Sequence, residues 1–327
     1  METLLSVKNL SVKIRKGKNC FTAVENISFD IAAGKITGIV GESGCGKTLT
    51  ALSIAGLLPP AAKAGGSILF SPSGKEQGVD LLSLSEDELC RIRGKEISMM
   101  FQEPLSSLNP LLKTGSQIVE ALEIHGKNDR KQNRETAVKL MEKLMLPEPR
   151  KLMETYPSAL SGGMCQRVMI AIAMISGPKL LIADEPTTAL DINTQEQILK
   201  LLAEINREQG TSILFISHDL GLVSRFCGKV MVMYAGRIVE EGNVEEVFSS
   251  PGHEYTRGLL GCLPERNSKG EKLRAIPGRV PAVEEARPQG CVFAPRCARA
   301  REKCRTAFPK ATVLNENHLT YCIAEGV

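Results

Sequence analysis

Gly41-Glu42-Ser43-Gly44-Cys45-Gly46-Lys47-Thr48 decides how the rest of this chain is read. It fits the pattern G-x-x-x-x-G-K-[ST], and its surroundings fit as well. The apolar run Lys35–Gly41 enters it as a buried strand, and Thr48–Leu58 leaves it as a helix that stops at Pro59-Pro60. Glycines let backbone N–H groups curl inward around phosphate oxygens, and a helix N-terminus adds partial positive charge. In such a loop Glu42, Ser43, Gly44, Cys45 and Gly46 line the phosphates. Lys47 reaches the β- and γ-phosphates, and the Thr48 hydroxyl ligates Mg²⁺. Thr50, one turn on, is a further candidate contact.

Outward from the loop, segments 2–14 and 21–32 alternate apolar and polar residues, as half-buried antiparallel strands do. Ile97–Gln102, Leu180–Asp184 and Ser212–Ser217 are apolar runs of strand length. Residues 115–177 read as mainly helical, interrupted by Pro147, Pro149 and Pro157. Asp191–Gln209 reads as a helix whose Ile192, Ile198, Leu201, Leu202 and Ile205 approximate one face. Lys229–Glu241 reads as a hairpin turning at Ala235-Gly236. Strands alternating with helices predict an α/β fold around a parallel sheet covered on both faces.

Leu180-Leu-Ile-Ala-Asp184-Glu185 supplies the acids that a phosphate loop needs. Asp184 would stand beside the metal, and Glu185 would polarise a water for attack on the γ-phosphate. His218 follows a strand expected to neighbour that one. Its imidazole can donate to phosphate while accepting from another group.

These elements resemble the nucleotide-binding subunits of ATP-binding-cassette transporters. Leu160-Ser-Gly-Gly-Met-Cys-Gln-Arg167 looks like that family's signature motif, Gln102 its Q-loop, Ala189-Leu-Asp191 its D-loop and His218 its switch histidine. The resemblance covers about residues 1–250. It implies a P-loop ATPase cassette: a RecA-like parallel sheet, an antiparallel β subdomain and a helical subdomain bearing the signature. It further implies ATP and Mg²⁺ as ligands, the metal held by Thr48, Gln102 and Asp184. Catalysis would rest on Glu185, His218, Gln102 and Lys47. Ser161, Gly162 and Gly163, opening a helix, form a second anion site that would serve a second chain's nucleotide in a head-to-tail dimer, with Asp191 beside it. Phe21 is the candidate for stacking on adenine.

Phe101-Gln-Glu-Pro-Leu-Ser-Ser-Leu-Asn-Pro110, His253-Glu-Tyr-Thr-Arg-Gly-Leu-Leu260 and the tail from Gly290 narrow the resemblance to the oligopeptide/dipeptide importers. Nickel importers share much of this pattern. Implied partners are two membrane permeases, a second ATPase chain (paralogous or identical) and an extracytoplasmic solute-binding protein. The chain would sit on the cytoplasmic face of the membrane. A soluble cassette ATPase acting on nucleic acid is the rival. It calls for a duplicated cassette or a large insertion before the signature; only 58 residues separate Gln102 from Ser161. Nucleic acid is therefore not an expected partner. A catalytically dead cassette is disfavoured by intact Lys47, Asp184, Glu185 and His218.

Composition fits a globular protein: 327 residues, 43% hydrophobic and 24% charged. No long apolar run spans a membrane, and the first residues lack a signal peptide's pattern, so a cytosolic chain is expected. Three parts are expected: a cassette over 1–260, a Pro/Gly-rich linker or arm over 261–290, and a small cysteine-rich C-terminal extension over 291–327. Residues 261–327 carry twelve Lys/Arg against seven Asp/Glu, a net of +5, which leaves −1 for the rest. Four of ten cysteines crowd the tail as Cys291-x5-Cys297-x6-Cys304-x17-Cys322. In a reducing compartment this suggests a metal rather than disulfides. The spacing matches neither paired zinc knuckles nor ferredoxin runs. The resemblance implies a [4Fe–4S] cluster, with zinc as the alternative. Cys45, beside a helix N-terminus, is expected to be an acidic, oxidation-sensitive thiol.

Overall fold

A computed structural model describes residues 2–72, 78–126, 129–188, 190–263, 275–285 and 287–323, apart from the side chains of Pro104 and Leu105. Residues 264–274 and 286 of the expected linker, and Ala189 of the D-loop segment, lie outside the described residues.

Among the described residues, twelve strands form two sheets. β1 (Thr3–Lys16) and β2 (Asn19–Ala32) are the long alternating segments, paired antiparallel. β3 (Ile36–Val40) leads into the phosphate loop. β4 (Ala62–Phe70) and β5 (Val79–Asp80) complete a four-stranded antiparallel sheet in the order β2-β1-β4-β5. The second sheet holds β3 with β6 (Ile97–Met100), β7 (Leu180–Asp184), β8 (Ser212–Ser217), β9 (Lys229–Tyr234), β10 (Arg237–Asn243), β11 (Thr312–Asn315) and β12 (His318–Thr320). Its order is β11-β12-β10-β9-β3-β8-β7-β6. Strands β6, β7, β8, β3 and β9 run parallel, and β10, β12 and β11 continue antiparallel.

The parallel strands are apolar throughout because both faces are covered: every residue of β7 and β8 is buried. The helix Ile192–Gln209 covers them with Ile198, Leu201, Leu202 and Ile205. Ile192 departs from the expected stripe. It stands in the helix's first turn at 75% exposure. The hairpin turns at Ala235 (φ 45°) and Gly236 (φ 81°), the two positive-φ residues that a type I′ turn requires.

The helical region holds Thr114–Glu123, Arg130–Lys143 and Gly162–Met174, packed on one another. Its breaks fall near the prolines: Pro149 opens a short helix and Pro157 a 3₁₀ turn.

The tail is less separate than its sequence suggests. β11 and β12 extend the main sheet, with β12 pairing to β10. Cys291, Val292, Phe293, Ala294 and Cys304 are buried in the same core as Val232, Tyr234 and Tyr255. The described arm residues are fastened to the body too, with Ile276 and Val280 packed against that core.

Candidate functional site: a phosphate cleft at the strand ends

Four neighbouring parallel strands deliver the site from their C-terminal ends, where open α/β sheets bind ligands. The phosphate loop follows β3, Gln102 follows β6, Asp184 and Glu185 close β7, and His218 follows β8. All but the buried Asp184 border one cleft of about 830 Å³ lined by Glu42, Ser43, Gly44, Gly46, Lys47, Thr48, Gln102, Glu185, Thr188 and His218, among others.

The loop's shape depends on its glycines. Gly41 sits at φ 157° with Met233 O only 2.1 Å from where a Cβ would be, and Gly46 at φ 105° is crowded by Met233 and Val24 side chains. The loop is tied to the hairpin turn through Gly236 N–H donating to Cys45 O at 2.8 Å. Gly46 caps the helix Lys47–Ala55 without any side-chain hydrogen bond, so no side chain competes for its first N–H groups. Lys47 is buried, its Nζ donating to Gly41 O at 2.8 Å and Glu42 O at 3.2 Å.

Glu185 is the hub. Its Oε2 accepts from Gln102 Nε2 at 3.0 Å and from Thr188 Oγ1 at 3.0 Å, and lies 3.1 Å from His218 Nδ1. Its backbone has φ 48°, a left-handed conformation that costs a non-glycine residue on the order of 1–3 kcal/mol. Glu185 N–H donates to Ile216 O at 2.9 Å, which holds that conformation against β8. The strain turns the carboxylate into the cleft while Asp184, one residue earlier, stays buried.

Asp184 shows where a metal fits. Its Oδ1 is buried without a hydrogen-bond partner. Burial pushes its carboxyl above the usual range and Glu185 pushes it further, while a hydrogen bond from Thr48 and the charge of Lys47 oppose them. An orphaned buried carboxylate oxygen beside a hydroxyl suits a hard divalent cation, with Gln102 across the cleft as a third oxygen donor.

Several expected residues lie elsewhere. Phe21 is half-buried on β2 opposite Ile14, and it is Ile14 and Ala23 that line the cleft. Thr50 is fully buried, its hydroxyl donating to Gly46 O at 3.0 Å within its own helix. Asp191 caps the helix Ile192–Gln209, accepting from Thr194 N–H at 3.0 Å. Ser161, Gly162 and Gly163 are outside the cleft. Ser161 caps the helix Gly162–Met174 by accepting from Met164 N–H, and both Ser161 and Gly162 are exposed. Cys45 corrects the expectation of an acidic thiol. It is fully buried, and burial pushes its pKa up despite Lys47 nearby.

The structure adds residues that carry no sequence signal for the site. Thr188 joins the Glu185 hub. Tyr255 Oη accepts from Glu42 N–H at 2.9 Å. Arg296, from the tail, forms a forked ion pair with Glu42 at 2.6 and 3.1 Å. Motif spacing within a hundred residues cannot reveal a contact across more than two hundred.

The four tail cysteines do come together. Cys291, Cys297, Cys304 and Cys322 line one small cavity with His253, Glu254 and Arg299. His253 Nδ1 accepts from Tyr255 N–H, so the proton sits on Nε2, which faces Cys291 Sγ at 3.7 Å. Burial holds His253 down to about 4 and pushes Cys291 up to about 11. Open space in the cavity is about 10 Å³, roughly one water. Among the described residues, no group of three or more His, Cys, Asp or Glu is placed to hold a single metal ion.

Comparison with known proteins agrees with this geometry. The ABC transporter family model matches residues 24–188, and the oligopeptide/dipeptide transporter C-terminal region matches 239–304. The oligopeptide transport ATP-binding protein OppD of Haemophilus influenzae is 45% identical over 98% of this chain and 97% of its own. AppD of Bacillus subtilis, another oligopeptide transport ATP-binding protein, matches at 45% over the same shares. Among solved structures, the ATP-binding cassette MJ0796, a dimer bound to ADP and Pi, superposes with a TM-score of 0.65 at 28% identity, covering 73% of this chain and 98% of that one.

Proposed function

Since this chain belongs to the ATP-binding subunits of ABC transporters, in their oligopeptide/dipeptide branch, we propose that it is the motor of a peptide importer. The observation that carries the catalytic reading is the shared Oε2 of Glu185, held by Gln102, Thr188 and His218 at the mouth of the phosphate loop. Glu185 takes a proton from the attacking water as its oxygen bonds the γ-phosphorus and the bond to the β-phosphate bridge breaks. Lys47 moves from the carbonyls of Gly41 and Glu42 to the β- and γ-phosphates. His218 donates to the γ-phosphate, and Gln102 orients the water and reports the γ-phosphate's presence. Thr48, Asp184 and Gln102 would hold Mg²⁺, which supplies charge neutralisation on the phosphate oxygens.

The Ser161–Gly163 helix start serves the nucleotide of a second ATPase chain. Its exposure and distance from this chain's own cleft support a head-to-tail pair, paralogous or identical. Phe101, Leu111 and Leu112 are exposed apolar residues flanking the Gln102 segment, with Leu111 at 82%. They support docking of membrane permeases on that face. Among the described residues no helix is long and apolar enough to cross a membrane. The chain would therefore reach the cytoplasmic face through those permeases, with a solute-binding protein delivering peptide.

The tail cysteines fit a thiolate-held cluster in chemistry. Four thiols line one cavity, and burial resists ionisation of Cys291 and Cys297 until a cation is present. A cluster larger than one ion would spread them beyond the present space. Arg299 at the rim offsets thiolate charge. We read the group as a [4Fe–4S] staple, zinc being the other candidate, and an absorbance band near 400 nm on anaerobically purified chain distinguishes them.

The test is uptake in proteoliposomes carrying the permeases, both ATPase chains and the binding protein. ATP-dependent accumulation of labelled oligopeptide is expected, and accumulation of nickel without peptide would overturn the substrate assignment.

A further inference from the structure

The nucleotide cleft has two ends. Gln102, Glu185 and His218 gather at one, which fixes the terminal phosphate there. The other end must then take ribose and base. Its first wall is Ile14 of β1 and Ala23 of β2. Its second wall comes from the C-terminal arm: Val280, Pro281, Ala282 and Val283 line the same cleft. The chain has no Trp, and its Phe21 stands outside this lining, so aliphatic side chains of the arm are what the cleft offers to an apolar ring face.

The arm is locked where it crosses. Glu284 pairs with Lys16 at 2.6 Å. Arg287 pairs with Glu25 at 3.2 Å and donates to Ala23 O at 3.0 Å. Arg296 donates to Pro277 O at 2.8 Å while its fork holds Glu42 of the phosphate loop. Arg296 is nearly buried, at 6% side-chain exposure. These contacts join the arm to β1, to β2 and to the loop itself. A segment fixed in advance does not lose its freedom again when a ligand binds.

We propose that residues 280–283 of the arm, locked by Arg287 and Arg296, form the second wall of the nucleoside pocket, so that this chain grips its nucleotide's base in cis with its own C-terminal segment. This rests on the reading of the cleft as the nucleotide site. The arm acts on the base and leaves the phosphates to the loop, so its loss weakens nucleotides selectively.

The test compares MgATP with magnesium tripolyphosphate by calorimetry on the full chain. Val280→Gly with Val283→Gly, and separately Arg287→Ala, should each weaken MgATP by about tenfold, the effect of losing modest apolar contact. Tripolyphosphate affinity should not change. Equal weakening of both ligands, or of neither, overturns the proposal. Wild-type protein that binds neither ligand would sink the nucleotide reading first, and the proposal with it. If the glycine variants fail to fold, photolabelling of wild-type chain with 8-azido-ATP decides: adducts within 275–287 support the arm, and adducts confined to β1 and β2 contradict it.

Discussion

Two helices of this chain begin on glycine-rich segments, Lys47–Ala55 and Gly162–Met174, and their N-termini are built for different states. The first starts at Gly46 without a side-chain cap, is wrapped by its own loop, and faces Glu185, Gln102 and His218 across one cleft. The second is capped by Ser161, is exposed only at its start, and faces none of them. Both present N–H groups and a favourable helix end to an anion. Only the first has a lysine (Lys47), an unpartnered buried carboxylate oxygen (Asp184 Oδ1) and Glu185 close by in the same chain. On the proposed reading, the chemistry is complete on one side of the nucleotide and the other side waits for a second chain. The capping serine keeps the second helix intact in the meantime.

The largest effect should come from the hub. Glu185→Gln keeps the shape of the side chain and removes the proton acceptor, so phosphate release should fall at least about 100-fold with MgATP still bound. Turnover within a few-fold of wild type would assign the chemistry elsewhere. Lys47→Ala should weaken MgATP by about 1.5–3 kcal/mol, since charge-assisted contacts to the phosphates are lost. Equilibrium binding measures it, and an unchanged Kd would mean that the loop's N–H groups suffice. Asp191→Ala removes a helix cap and should cost about 1 kcal/mol in urea unfolding, leaving MgATP binding to the lone chain alone. A large loss of binding there would move Asp191 into the cleft. Smallest of all is Cys45→Ser, expected to leave turnover as it is, because the thiol is buried and the loop binds through its backbone. Mild peroxide should likewise spare the wild-type activity.

The cleft was legible where function sits next to secondary structure. β7 ends at Asp184 as its apolar run ends, and His218 and Glu185 meet because β8 pairs directly with β7, Asp184 opposite Ile216. What the sequence hid is long-range or orientational. The resemblance made Phe21, the aromatic of segment 14–24 upstream of the phosphate loop, the adenine candidate, yet it is Ile14 and Ala23 that line the cleft. Cys45 looked reactive from its helix position, and burial reversed that. Nothing aperiodic in 275–287 announces that it crosses to Ala23, and nothing in Arg296 announces Glu42. The crowding of Cys291, Cys297, Cys304 and Cys322 was plain from composition, but the tail's integration into the main sheet came only from β12 pairing with β10.

The composite site is the central claim, and Gly162→Asp tests it most directly. A side chain at Gly162 meets open space, so the lone chain should fold and bind MgATP with an unchanged Kd. In a Glu185→Gln background the wild-type signature should support ATP-driven association with the second ATPase chain in sedimentation velocity. The added carboxylate, facing that chain's γ-phosphate, should abolish it. Association that survives Gly162→Asp, or a lone chain whose MgATP affinity falls with it, would contradict the account.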